Sequence, residues 1–200
     1  MSKASWVAVN PESGSGNKSV GVSSTTEHSG RTARTTTLTI RAAGVQSRTM
    51  TVNQAGKPQH VDSQDTASAS KSAGNVTISG KANSKQLTFS LGAGDLAITL
   101  PANYTANSVD TVNGAEISGD PGAALEYDWA IVIPVVANEG VSELTRQIVV
   151  TDESGNSDTC LLTQAAGDAT LTVSKTSIDL LYTGASVSFD ITSNTNWTIS

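Results

Sequence analysis

Short runs that alternate apolar and small polar residues recur along the whole chain. Val20-Gly21-Val22, Leu38-Thr39-Ile40 and Met50-Thr51-Val52 each set apolar side chains at every second position. Leu87 to Leu91, Ile131-Val132-Ile133, Ile148-Val149-Val150 and Val187 to Ile191 follow the same rule. A period of two is the mark of a strand with one buried face. Turn-forming clusters separate these runs: Asn10 to Asn17, Ser118 to Gly122 and Glu153 to Asn156. No segment carries a helical stripe. The pattern predicts an all-β protein of immunoglobulin-like β-sandwiches.

An internal repeat divides the chain. Leu38, Ile40, Met50, Val52 and Gln54-Ala55 recur at the same spacing as Ile148, Val150, Cys160, Leu162 and Gln164-Ala165. A second similarity aligns Leu87, Phe89 and Leu91 with Val187, Phe189 and Ile191. Residues 74–167 then hold a first half followed by a second half, a complete module. Residues 1–56 hold only a second half, and residues 168–200 only a first half. Residues 57–73, rich in Ser, Ala, Gln and Asp, read as a flexible linker.

The quoted residues also resemble a known family. Ser193-Asn194-Thr195-Asn196-Trp197-Thr198-Ile199-Ser200 is similar to the first-half signature of the BACON domain, an immunoglobulin-like module of Bacteroidetes proteins and crAss-like phages. Ser5-Trp6-Val7-Ala8-Val9-Asn10-Pro11 through Gly16-Asn17, Arg34 to Ile40 and Val52-Asn53-Gln54-Ala55-Gly56 resemble the rest of it. The middle module resembles a divergent copy, with Leu96 near the place of Trp197 and no counterpart of Trp6. The family's order is reversed between the ends: joining Ser200 to Met1 would give one continuous module. The resemblance implies a binding or structural role, glycans as one class of ligand, and a phage virion as one setting.

Half a sandwich without disulfide or metal buries too little surface to offset its ordering entropy. The expected core of the split module is Trp6, Val9, Val20, Val22, Leu38, Ile40 and Val52 from one end. Val187, Phe189, Ile191, Trp197 and Ile199 complete it from the other. Three arrangements satisfy it: complementation between copies in a head-to-tail polymer or ring, closure within one chain as a permuted domain, or membership in a longer polypeptide. Closure within the chain would need residues 57–73, at most ~60 Å when extended, to fold two sandwiches side by side.

Composition narrows the partners. With 15% charged residues and a net charge of -6, the chain lacks the clustered Lys and Arg that nucleic acid or an anionic membrane surface would select. The N-terminus has no apolar signal segment, and Cys160 has no internal disulfide partner. These features fit a virion protein made in a host cytoplasm, with an extracellular or cell-surface location inside a longer protein as the alternative. Phage capsid or tail proteins are then candidate neighbours, beside further copies of the chain. His28 and His60 lack partners at motif spacing, and no triad, zinc pattern or phosphate loop occurs. The reading is a non-enzyme with no cofactor and no metal; the oxygen-rich Asp152–Asp158 segment reads as a hairpin turn. For sugar stacking, Tyr104, Tyr127 and Tyr182 are the candidates.

Overall fold

The computed structural model describes residues 3–200. The N-terminal segment forms two separate antiparallel pairs, β1 (Val7–Asn10) with β2 (Gly21–Ser24) and β3 (Arg34–Ile40) with β4 (Arg48–Gln54). The middle of the chain then supplies β5 (Val61–Ser63), β6 (Thr66–Ala69), β7 (Gly74–Ala82), β8 (Leu87–Gly94), β9 (Asn103–Ala106) and β10 (Val109–Val112). A 3-10 turn at Pro121–Ala123 leads into β11 (Tyr127–Val135), β12 (Leu144–Asp152) and β13 (Ser157–Gln164). At the C-terminus, β14 (Leu171–Val173) pairs with β15 (Ile191–Ser193).

The middle strands make one immunoglobulin-like sandwich, so the predicted all-β class holds. One sheet runs β10-β9-β11-β7-β5 and the other β6-β13-β12-β8. Alternation decides which side chains meet between them: Trp129, Ile131, Ile133 and Val135 point inward from β11, and Ile148 and Val150 do so from β12. Phe89 lies 4.9 Å from Tyr104 and 5.2 Å from Trp129, centroid to centroid, with its ring tilted against both. Each such buried side chain contributes roughly 1.5–3 kcal/mol, so these layers hold the module.

Residues 57–73 depart from the expected linker. They form β5, which pairs with β7, and β6, which runs parallel to β13, so this segment crosses from one sheet to the other. Val61, Ala67 and Ala69 are buried there. Alanine provides enough apolar surface for a strand laid over an already packed edge, although it gives little signal in sequence. The middle sandwich therefore begins before Gly74. Leu91, grouped with Leu87 and Phe89 by alternation, is exposed beyond the inward part of β8.

Candidate binding interface

The two ends sit at opposite poles of the sandwich. β11 and β7 run antiparallel with Tyr127 opposite Ala82 at one pole and Val135 opposite Gly74 at the other. The N-terminal segment docks at the first pole. Arg31 and Thr32 donate backbone N–H to the carbonyls of Gly122 and Ala123, and the Arg31 guanidinium pairs with Asp120. Beside them, His60 Nε2 lies 2.9 Å from Glu126 Oε2 and Lys57 Nζ 3.3 Å from the same oxygen. The C-terminal segment docks at the second pole, where Asn194 donates to the Glu139 carbonyl and Lys71 pairs with Asp168. The nine residues of β11 between the poles span ~30 Å at ~3.3 Å each.

At the N-terminal pole the β1–β2 and β3–β4 pairs leave an open groove between them. Val9, Val20, Val22, Leu38, Ile40 and Met50 line it, and its volume is about 890 Å³. Among the described residues each pair also has a vacant strand edge: β2 has only β1 and β3 only β4, whereas their counterparts β11 and β12 are paired on both sides. Trp6 is half-buried under the Arg34 guanidinium, 4.7 Å above its ring.

The repeat makes the middle module a control for this exposure. Val150 and Cys160 are 1% and 0% exposed, while their counterparts Ile40 and Met50 are 56% and 45% exposed. At the other end, Trp197 is 49% exposed, Phe189 38% and Ile199 71%. Equivalent repeat positions are thus buried in the complete module and open to solvent in the N-terminal half. Of the twelve residues expected in the split core, Leu38 is buried, and Trp6, Val9, Val52 and Ile191 are half-buried. Val20, Val22, Ile40, Val187, Phe189, Trp197 and Ile199 are exposed, because none of the described residues of the chain covers them. Trp6 and Trp197 do not pack together, and no hydrogen bond joins the described residues of 1–56 to those of 168–200.

Hydrogen bonds also correct the second sequence similarity. In the middle module the Asn83 side chain accepts from the His60 N–H and donates to the Pro58 and Ser29 carbonyls. In the C-terminal segment Asn194 accepts from the Thr170 N–H and donates to the Asp168 and Glu139 carbonyls. The Lys57 N–H to Gly30 carbonyl bond likewise recurs as Gly167 to Gly140. Strand register agrees: Val61 opposite Ala82 and Ser63 opposite Gly80 reappear as Leu171 opposite Ser193 and Val173 opposite Ile191. So β14 and β15 are copies of β5 and β7. Val187, Phe189 and Ile191 belong with β7, not with β8 as alternation suggested, and Trp197 has no kinship with Leu96.

Two of the three stacking candidates are removed by burial. Tyr104 and Tyr127 lie in the core, Tyr127 donating its hydroxyl to the Ser84 carbonyl at 2.8 Å. Their strands share parity with Ala106 and Trp129, which turn inward. Burial pushes the Tyr104 hydroxyl up to about 12. Tyr182 is fully exposed. In the Asp152–Asp158 segment, the Asp152 carboxylate accepts from the N–H groups of Ser154 and Asn156 and organises the hairpin turn around Gly155. Burial raises the Cys160 thiol to about 11, which keeps it protonated and unreactive at neutral pH.

These features define an all-β chain of immunoglobulin-like character with open apolar faces. Residues 1–55 match the family model of the BACON domain, described as "Putative binding domain, N-terminal", and the resemblance read from this segment is borne out. Among solved structures the chain is similar to the NMR structure of a protein from Bacteroides thetaiotaomicron, at 14% identity. The match covers 56% of this chain and 89% of that one, with a TM-score of 0.28, a superposition too low to equate the two folds. No curated protein matches the chain.

Proposed function

We propose that this chain is a non-enzymatic structural protein that assembles head to tail, the C-terminal segment of one copy closing the N-terminal half-module of the next. The observation that carries this reading is the contrast between Val150 and Cys160, buried in the complete module, and Ile40 and Met50, open in the half. Trp197 is already half covered in the single chain, so covering the rest would remove about half of the ~150–250 Å² that a Trp can bury, roughly 2–3 kcal/mol at ~25 cal/mol per Å². Both faces lie at opposite poles, which supports joining copies in series over folding one chain back on itself. A phage virion, as a head fibre, capsid decoration or tail component, is the setting that the family resemblance favours.

Sedimentation velocity over a concentration series tests the reading. The full chain is expected to form species larger than one copy, growing with concentration, and deletion of residues 168–200 is expected to abolish them. A full chain that stays monomeric at every concentration, or a deletion variant that assembles equally well, overturns it. Glycan binding is a second reading, favoured by the complete exposure of Tyr182. A glycan array in which binding is lost on Tyr182→Ala would support it, and a flat array would remove it.

A further inference from the structure

The vacant edge of β3 has an occupant that the molecule itself specifies. In the complete module that edge is filled by β8, with Phe89 opposite Val150, Thr88 opposite Thr151 and Leu87 opposite Asp152. The counterparts of Val150, Thr151 and Asp152 in the N-terminal half are Ile40, Arg41 and Ala42, all exposed, with Ile40 and Ala42 lining the open groove and Arg41 at its rim. Among the described residues no counterpart of β8 lies along this edge.

The segment that follows β15 supplies one. Asn194 takes the place of Asn83, as their matching hydrogen bonds establish. The next inward-facing apolar pair after Asn83 is Leu87 and Phe89, both buried; after Asn194 the next alternating pair is Trp197 and Ile199. The link is one residue shorter. Keeping its length instead would set Trp197 in the place of Gln86 and turn the whole apolar set away from the core, since a one-residue slip exchanges the faces of a strand.

The C-terminal segment forms strands only where its partners are present. β14 and β15 copy a pairing that lies wholly inside the first half, and they are formed. Residues 177–180 and 197–200 correspond to β6 and β8, whose neighbours β13 and β12 belong to the second half, and they are not in strands. A donor segment likewise becomes a strand only when it meets the edge it completes.

We infer that residues 197–200 of one copy add, as an antiparallel strand, to the free edge of β3 in a second copy and to the Arg41–Ala42 stretch that continues it. Ile199 then lies opposite Ile40, Thr198 opposite Arg41 and Trp197 opposite Ala42. The inference rests on the assembly reading above and adds the segment, the edge and the register. Trp197 and Ile199 enter the groove beside Leu38, Val20 and Val22, and Thr198 and Arg41 face solvent on the outer side.

Directly opposed residues in an antiparallel pair have Cα atoms ~4.5–5.5 Å apart, within the range a disulfide bridges. The test mixes two single variants, Arg41→Cys and Thr198→Cys, under mild oxidation. Both sites are exposed, so folding is undisturbed, and buried Cys160 stays silent. A disulfide-linked pair of unlike chains is expected in the mixture, and neither variant alone is expected to cross-link. Arg41→Cys mixed with Ser188→Cys, the pairing implied by aligning Val187 to Ile191 with β8, is expected to give none. Cross-linking at Ser188, or assembly by sedimentation without any cross-link at Thr198, overturns the register and leaves complementation standing. Absence of assembly by sedimentation removes both.

Discussion

Asn83 is fully buried, and its side chain holds the start of the middle sandwich to the N-terminal segment through the Ser29, Lys57 and Pro58 carbonyls and the His60 N–H. An isosteric apolar residue would strand those groups. Asn83→Leu is expected to lower stability by about 1–3 kcal/mol, the penalty of leaving buried polar atoms unpaired. Asn194→Leu, with the same partners in a solvent-exposed place, is expected to cost less, because water replaces what the amide supplied. Equilibrium urea unfolding of the two variants checks the order. The spacing of the two asparagines is visible in the sequence. It went unread because polar anchors leave no periodic trace, whereas the apolar repeat from Leu38 to Val52 announced itself. Tyr104 and Tyr127 show the converse: they remain as stacking candidates once the Trp and Phe residues are assigned to the core, yet their parity with Ala106 and Trp129 sets them inward as well.

Strands exist here where a ladder is available, and that rule separates what was legible from what was not. A period of two marks β7 and β8 alike, so alternation alone could not tell which of them Val187 to Ile191 copies; only pairing with β14 decides it. Likewise β5 and β6 are strands because β7 and β13 offer edges, and their alanine-rich sequence says little beforehand. Applied to the C-terminus, the rule predicts that amide hydrogens of residues 177–180 and 197–200 exchange rapidly in the monomer and become protected on assembly. Hydrogen exchange at low and high protein concentration measures this, and unchanged protection at 197–200 in assembled material would contradict it. The joint at the first pole adds a pH dependence. Burial pushes the Glu126 carboxyl up, but hydrogen bonds from His60 and Lys57 outweigh it and leave the group below its ordinary 4.5. A depressed carboxyl contributes stability that is full above 4.5 and fades as pH falls through the lowered value. Acid titration is therefore expected to loosen this joint below pH ~4.5, and Glu126→Gln to flatten that dependence.

At the scale of the whole molecule, the two joints have one design. Lys57 to Gly30 and Gly167 to Gly140 make the same backbone bond, and Asn83 and Asn194 the same clamp. Gly30 permits the close approach at the first joint, because a methyl there would strike the Ala124 carbonyl. At the second joint the crowded glycine is Gly167, against the Asn138 carbonyl, whereas Gly140, the counterpart of Gly30, meets no backbone atom so closely. The middle sandwich thus follows the N-terminal half by the operation that places the C-terminal segment after the middle sandwich. If the latter completes a further N-terminal half, that operation simply repeats along the assembly. Repetition of one rigid step produces an open helical rod unless the rotation happens to close. Each copy contributes two modules' worth of chain, one whole and two halves. With ~30 Å of strand per module at ~3.3 Å per residue and turns at both poles, the axial repeat per chain is expected near ~80 Å. Negative-stain electron microscopy of concentrated protein should show beaded rods with two beads per chain. Side-by-side pairs of sandwiches, with no growth beyond a compact dimer, would mean that the joints flex, and that the matching hydrogen bonds at the two poles do not set the path of the assembly.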